Sequence, residues 1–250
     1  MKEYKDRIYR KHFRTDRWKG FVAKHKDTDV WVGVNKNSFH YDMHKFTMQT
    51  IRMLRESMDA YLNTDIQYVR ALLPYSARED APQILKLMSE TSYKTGVGPM
   101  SAVAGAVAAH IACELQKKFE IQEIIVENGG DIYVDIVKDI DVSIFAGSSS
   151  LSQKIGLHIN AKESPLGICT SSGTVGPSLS FGKADAVMIV CKDALLADSY
   201  ATVFANQIQK PEDIDNVLKM ISNKNDIISA ILVKDDKMGI TGKFEMKLFN

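Results

Sequence analysis

The spacing of the apolar positions changes several times along the chain. Residues 4–12 and 20–35 carry β-branched and aromatic side chains between turns, which predicts strands. From about residue 43 to 62 the apolar positions recur at helical spacing, which predicts a long helix. The segment 66–73 suits either a short helix or a strand. A further short helix is predicted at 82–88, because it opens with a proline, a residue favoured at the first helical position.

The middle of the chain switches from a helix to strands. Residues 99–118 begin with a proline and are rich in alanine and glycine, which predicts a helix that can pack closely against its neighbours. Strands are predicted at 123–126 and 132–137. The Asn-Gly-Gly-Asp sequence between them is typical of a tight hairpin. Two more strands are expected at 142–146 and 155–159.

The C-terminal part continues the alternation of strands and helices. An apolar run at 186–191 predicts a buried strand, and helices are expected at 193–208 and 211–221. Strands at 227–233 and 240–248 are predicted to close the chain as a hairpin. Strands interspersed with helices and joined by several hairpins predict an α+β fold with largely antiparallel sheets packed with helices.

Composition and charge exclude several classes of protein. With 45% hydrophobic and 25% charged residues, the chain is typical of a globular protein, and no linker divides it, so we expect a single domain over residues 1–250. A net charge of +1 and the lack of a membrane-length apolar run predict neither a nucleic-acid nor a membrane partner. Three widely spaced cysteines and a charged start without a signal-peptide core favour a cytoplasmic localisation.

Three polar, glycine-containing turns and one helix carry the candidate chemistry. The turns lie at 96–101, 127–131 and 170–176, and the glycines of the first would leave free N–H groups at a helix N-terminus, where a phosphate is favoured. On a later helix, Asp198 and Thr202 are four residues apart and share one face. A carboxylate and a hydroxyl there suit a hard cation. Glycine turns are also ordinary connections, and an Asp near a helix start is also an ordinary cap.

Two stretches that contain these features resemble a known family. They are GVGPMSAVAGAVA…ENGGDIYV, which begins at residue 96, and GICTSSGTVG…ADAVMIVCKDALLADSYATVFAN at 167–206. The chain resembles the ApbE superfamily, the FAD:protein FMN transferases, and more closely the short UPF0280 branch of that superfamily. The opening YKDRIYRKHF…DTDVWVGV is similar to that branch too, so the resemblance spans most of the chain. It implies an ApbE-like fold.

The resemblance also implies cofactors, a partner and a site. Mg²⁺ and FAD are the implied cofactors, and a flavin or related nucleotide is the implied small-molecule partner. Asp198, Thr202 and the backbone carbonyl of Gly98 would hold the metal. The turns that approach the nucleotide would comprise Glu127, Asn128, Gly129, Gly130, Asp131, Thr170, Ser171, Ser172 and Gly173. The implied activity is that of an FAD:protein FMN transferase.

Two departures from the family pattern keep a second hypothesis open. The transferases carry Lys-Gly-Tyr-Ala where this chain has Pro-Met-Ser-Ala at 99–102. Between Gly173 and Ala184 the chain also lacks the family's histidine and its Asp-Pro-x-Thr-Gly element. Since the branch is linked with sulfur and homocysteine metabolism, the alternative is a non-catalytic ligand-binding or accessory protein there. The methionine-containing helix at 43–62 could also provide a homo-oligomer interface, although core packing is the commoner use.

Overall fold

The computed structural model describes residues 16–175 and 180–249, so the strand predicted at 4–12 lies outside the described residues. The strands are β1 Trp18–His25, β2 Thr28–Asn35, β3 Ile124–Asn128, β4 Asp131–Asp135, β5 Ile140–Ser143, β6 Ile155–Ile159, β7 Leu166–Ser171, β8 Ala186–Cys191, β9 Ile227–Lys234, β10 Lys237–Gly242 and β11 Glu245–Leu248. The helices are α1 Asp42–Leu62, α2 Ile66–Arg70, α3 Gln83–Thr95, α4 Val103–Lys118, α5 Ala194–Asn206 and α6 Ile214–Ser222. Short 3-10 turns precede α4 and α6, at Pro99–Ala102 and Pro211–Asp213.

The strands form two antiparallel sheets. The larger sheet has the order β1-β2-β3-β4-β7-β8-β9-β10, and the smaller one has the order β11-β6-β5. At the centre of the larger sheet, Asp131 of β4 lies opposite Cys169 of β7, which lies opposite Ile189 of β8. The predicted α+β fold, with largely antiparallel sheets packed with helices, is confirmed.

Strand β8 shows how the layers are arranged. Val187, Ile189 and Cys191 pack with α5 and α6, whereas Ala186 and Met188 face the smaller sheet. Successive side chains of a strand point to opposite faces, so a strand between two layers must be apolar throughout. The run at 186–191 is continuously apolar because both faces of β8 are buried, and the prediction of a buried strand is correct.

The helix α1 uses its apolar face in the core. Met43, Ile51 and Met58 are fully buried with residues of β1–β3, α3 and α4. Core packing therefore accounts for the apolar spacing of this helix, and a homo-oligomer stays a prediction. In the described part of the chain no single helix is long and apolar enough to cross a membrane; α3 and the segment 99–118 reach that hydropathy only together, across a bend of 106°.

The helix α3 is longer than predicted. It was expected to end at residue 88 but continues to Thr95, because Thr91 and Ser92 are buried and extend its packed face. Gly96 ends it with φ of +83°, and its N–H donates to the carbonyl of Ser92 at 2.8 Å. A glycine in the left-handed region is a common helix stop, so this end was predictable from the sequence. The ambiguous segment 66–73 contains the short helix α2.

The strand predicted at 240–248 is wrong, because it is two strands in different sheets. The strand β10 ends at Gly242, whose φ is +108° and where a Cβ would lie 2.2 Å from the carbonyl oxygen of Ile228. The chain then buries Phe244 between the sheets and continues as β11, which pairs with β6. The strand predicted at 142–146 is likewise displaced and forms β5 at Ile140–Ser143.

Candidate functional site

The first turn of α4 joins two of the predicted site elements. An oxygen of the Asp198 carboxylate, on α5, accepts a hydrogen bond from the N–H of Gly105 at 2.8 Å. The side-chain amide of Asn128, at the end of β3, donates to the carbonyl of Ala104 at 3.2 Å. Two site residues that are far apart in the sequence therefore meet at the start of one helix.

Gly105 allows this close approach. A Cβ at this position would lie 2.3 Å from the carbonyl oxygen of Ala194 and 3.0 Å from the Cβ of Asp198. Real Cβ atoms do not come so near a backbone oxygen, so any larger residue would push α5 away from α4. The prediction that small residues in this helix permit close packing is correct at Gly105.

The hairpin between β3 and β4 has the turn that its sequence predicts. Gly129 and Gly130 both have positive φ, at +74° and +104°. Two-residue hairpins of this kind need left-handed backbone at both central positions, which explains the glycine pair. The N–H of Gly130 donates to a carboxylate oxygen of Glu127 at 2.9 Å, so Glu127 folds back over the turn and not into solvent.

Three carboxylates are buried where these elements meet. Glu127, Asp131 and Asp198 are all at most 9% exposed. Burial, and then the charges of Asp198 and Glu127, raise the pKa of Asp131 well above its ordinary range. Burial also raises the pKa of Asp198 to about 7, against the opposing hydrogen bonds from the N–H groups of Gly105 and Ala104.

Among the described residues, the hydrogen-bond donors beside Asp131 and Asp198 are neutral groups. The N–H of Thr170 and the thiol of Cys169 oppose the rise in the pKa of Asp131, and the N–H of Gly105 in α4 donates to Asp198. Within residues 16–175 and 180–249 no lysine or arginine forms an ion pair with either carboxylate. Two acids that lie together in a low-dielectric site without a positive partner favour the binding of a cation.

The turn after β7 forms a polar rim beside these acids. Thr170, Ser171, Ser172 and Gly173 are each partly exposed. The hydroxyl of Ser172 accepts from the N–H groups of the residues two and three positions later, at 3.1 and 2.9 Å, so it shapes the turn itself. The N–H of Gly173 donates to the carbonyl of Ala184 at 2.9 Å. Thr170, whose N–H opposes the rise in the pKa of Asp131, is the first residue of this rim.

Gly98 is buried, and its N–H is not free. It donates to the carbonyl of Leu72 at 2.9 Å, so the prediction that this N–H is free to bind a phosphate is wrong. The Gly98 carbonyl accepts from the N–H of Ser101 at 3.1 Å, and the Ser101 hydroxyl lies 2.8 Å from that of Ser199. Ser199 is fully buried and follows Asp198 directly. This link between the Gly98 turn and α5 was not predicted, although a serine among apolar helix residues was a signal for it.

The donor set offers oxygen ligands for a cation. Asp198 and Thr202 are one turn apart on α5, and Thr202 is partly exposed. No group of three His, Cys, Asp or Glu side chains in the described ranges could hold a metal by itself. A carboxylate, a hydroxyl and a carbonyl with water or phosphate oxygens are a usual set for Mg²⁺, so the residues present fit this ion. Coordination by Asp198, Thr202 and Gly98 stays a prediction.

A separate cavity of about 410 Å³ opens near the first residues of α5. None of the predicted site residues lines it. Its two lysines, Lys192 and Lys243, both pair with Glu163, so their charges are already matched. We therefore place the candidate site at the acidic cluster and not at this cavity.

Comparison with known proteins identifies relatives along most of the chain. A family model described as AbpE bacteria matches residues 10–233. The chain is 36% identical over 196 residues to a UPF0280 protein of Methanosarcina acetivorans. The matched stretch covers 78% of this chain and 77% of the relative. It is 37% identical over 218 residues to a UPF0280 protein of Methanococcoides burtonii. This match covers 87% of this chain and 90% of the relative.

Solved structures with the same fold are more distant in sequence. The flavinyl transferase ApbE of Pseudomonas stutzeri, in its apo form, gives a TM-score of 0.58 at 12% identity over 90% of this chain and 93% of that one. The flavin transferase ApbE of Vibrio cholerae gives a TM-score of 0.53, also at 12% identity, over 90% and 96%. At such identity the likeness shows the fold, and the predicted ApbE-like fold is confirmed. The chain belongs to the UPF0280 family, and it has the fold of the ApbE flavin transferases.

Proposed function

We propose that the chain is a magnesium-dependent enzyme that acts on the pyrophosphate of a flavin or related nucleotide, in the manner of the FAD:protein FMN transferases. The observation that carries the proposal is the burial of Asp131 and Asp198 together, with no lysine or arginine of the described ranges paired to either carboxylate. Keeping two carboxylates out of water without a positive partner is costly. A divalent cation with oxygen ligands is the partner that this arrangement suits.

The residues of the site have separate tasks in this proposal. Asp198, Thr202 and the Gly98 carbonyl would hold Mg²⁺, which when bound neutralises the pyrophosphate and the charge that develops as it is cleaved. The hairpin at Gly129 and Gly130 carries no side chains, so the ligand can approach its backbone closely. The partly exposed rim at 170–173 offers hydroxyl and N–H groups to phosphate oxygens, as polar turns commonly do.

The proposed reaction breaks one phosphorus–oxygen bond. A hydroxyl of an acceptor protein attacks the phosphorus of the FMN half of FAD, and AMP leaves with the bridging oxygen. The hydroxyl gives up its proton to water, and the FMN phosphate becomes an ester of the acceptor. Where water replaces the acceptor, the products are FMN and AMP.

Release of AMP from FAD tests the proposal. Purified protein with FAD and MgCl₂ is expected to yield AMP, measured by chromatography, and EDTA is expected to abolish it. Asp198→Asn and Thr202→Val are expected to lower the rate at least ~100-fold, as removal of groups that stabilise transition-state charge commonly does. Asp193→Asn is the matched control, because Asp193 caps the same helix outside the site and Asn is an equally good cap. No AMP with Mg²⁺, Mn²⁺ or Ca²⁺ would contradict an enzymatic role.

A second function is favoured by the departures between Gly173 and Ala184. The family's histidine and its Asp-Pro-x-Thr-Gly element are absent from this stretch of the sequence. A protein that kept the ligand site without the chemistry would be a binding or accessory protein, with a role in sulfur metabolism as the family-level candidate. The AMP assay and a thermal-shift measurement together separate the two functions. Stabilisation by FAD with Mg²⁺, or by a sulfur metabolite such as homocysteine, without AMP release supports the accessory role.

A further inference from the structure

One face of α5 connects the acidic cluster to a second part of the molecule. Asp198, Thr202 and Asn206 are spaced four residues apart, so Thr202 neighbours both Asp198 and Asn206 on the surface of the helix. With a rise of about 1.5 Å per residue, Asn206 lies about 12 Å along the helix axis from Asp198. A ligand anchored at Asp198 and extended along this face therefore reaches the residues that Asn206 holds.

Asn206 holds Phe181 by its backbone. The side-chain oxygen of Asn206 accepts from the N–H of Phe181 at 2.8 Å and from the hydroxyl of Ser180 at 3.1 Å. The side-chain amide of Gln209 donates to the carbonyl of Phe181 at 2.9 Å. Both polar backbone groups of Phe181 are thus hydrogen-bonded, one to the last residue of α5 and the other to Gln209 just beyond it.

The residue after Phe181 is packed against the polar rim. A Cβ on Gly182 would lie 1.9 Å from the carbonyl oxygen of Ala205, so this backbone sits directly on α5. A Cβ on Gly173 would lie 2.1 Å from the carbonyl oxygen of Gly182. The turn at 170–173 and the segment that carries Phe181 are therefore in direct backbone contact. Phe181 is thus joined directly to a glycine whose backbone touches the predicted ligand turn.

The ring itself is 61% exposed. Single exposed apolar side chains are common and by themselves need no explanation. Phe181 differs because its N–H and its carbonyl are both hydrogen-bonded, and because the backbone of the next residue lies against a predicted ligand turn. An aromatic ring on a rigid support is a stacking surface for a planar ring, and it is tolerant of the identity of that ring.

We propose that Phe181 binds the ligand by stacking on a planar heteroaromatic ring, the isoalloxazine or the adenine of a nucleotide whose pyrophosphate lies at the acidic end of α5. This inference rests on the proposed function and adds to it the residue that binds the ring of the ligand. The separation along α5 calls for a ligand in which a sugar or ribityl chain joins ring and phosphate.

Binding measured by calorimetry, with Mg²⁺ present, tests the assignment. The probes are FAD, FMN, ADP and inorganic pyrophosphate, and the variants are Phe181→Ala, Phe181→Leu and the conservative Phe181→Tyr. Phe181→Ala is expected to weaken FAD about 5- to 100-fold and to leave pyrophosphate unchanged, since loss of one stacking contact has that magnitude. Phe181→Leu is expected to lose most of the affinity, because it keeps apolar volume without a ring face, and Phe181→Tyr to retain it. Weakening of FMN alone identifies the isoalloxazine, and weakening of ADP alone identifies the adenine.

Four outcomes would overturn the assignment, and they are distinguishable. Unchanged FAD affinity in Phe181→Ala removes Phe181 from the site while leaving the proposed function intact. An equal loss of FAD and pyrophosphate in Phe181→Ala, or wild-type affinity in Phe181→Leu, points to a structural or merely apolar role. If the wild-type protein binds none of the four probes, the proposed function fails and the stacking role fails with it.

Discussion

Replacing Asp198 by Asn is expected to stabilise the metal-free protein at alkaline pH. The buried carboxylate has a pKa raised to about 7 from an ordinary value of 3.8. Since one pKa unit corresponds to about 1.4 kcal/mol, the ionised form costs on the order of 4 kcal/mol in the folded state. An Asn oxygen can still accept from the N–H of Gly105, so the variant removes the charge and keeps the hydrogen bond.

The effect has a definite pH dependence. A group whose pKa is raised by folding favours the folded state below its unfolded pKa, and that contribution is lost as the pH rises through the folded pKa. The wild-type protein is therefore expected to lose stability between about pH 4 and pH 7, whereas the amide of the variant has no charge to gain over this range. At pH 8 we expect Asp198→Asn to raise the free energy of unfolding by roughly 1–4 kcal/mol, and at pH 5 by less than half as much.

Urea unfolding in EDTA at both pH values measures this difference. With Mg²⁺ added, the wild-type protein is expected to gain stability, about 2.7 kcal/mol at a hundredfold excess of Mg²⁺ over Kd, and Asp198→Asn is expected to gain little. Asp193→Asn serves again as a control, because it is not expected to change the stability of the metal-free protein at pH 8. A variant at Asp198 that is less stable than wild type at pH 8 without metal would refute the reasoning, because the carboxylate would then be stabilising.

Two further predictions concern packing and the surface. Gly105→Ala is expected to lower the free energy of unfolding, measured in urea, by about 2 kcal/mol or more, because the new Cβ would meet the carbonyl oxygen of Ala194 at 2.3 Å. The cost of this clash exceeds the gain in helix propensity from alanine. A more stable variant would contradict the close approach of α4 and α5. The side chain of His158 lies 2.7 Å from Asp141 and 3.4 Å from Asp139, and the hydrogen bond with Asp141 raises the pKa of His158. The wild-type protein is therefore expected to be more stable than His158→Gln at pH 5.5 and to lose that advantage by pH 8.5. The difference at pH 5.5 is expected to be only a few tenths of a kcal/mol, because the imidazole is partly exposed. Equal differences in stability at both pH values would contradict this prediction.

The local parts of the site were predictable because short-range chemistry determines them. A two-residue hairpin needs positive φ at both central positions, and Gly129 and Gly130 adopt it. This requirement can be read from four consecutive residues. The shared face of Asp198 and Thr202 follows from helical spacing alone. These inferences needed no knowledge of which elements are neighbours in space.

The long-range parts could not be predicted in the same way. The hydrogen bond from Gly105 to Asp198 spans 93 positions and depends on how α4 and α5 pack on the sheet. The link between Ser101 and Ser199 depends on the same packing. The break at Gly242 was missed because the apolar pattern of 240–248 is compatible with one strand, and only the second sheet makes two strands necessary.

The two explanations of Asp198, as a helix cap and as a metal ligand, differ in their energies. A capping carboxylate at the start of α4 contributes about 0.5–2 kcal/mol, and an effective cap normally has a lowered pKa because its N–H partners favour the charged form. Asp198 has those partners in Gly105 and Ala104, yet its pKa is raised to about 7, so burial outweighs the capping bonds. In the metal-free protein the ionised carboxylate is then a net cost, which an Asn cap would avoid. Stability alone does not explain an acid at this position, whereas the proposed binding of a cation would.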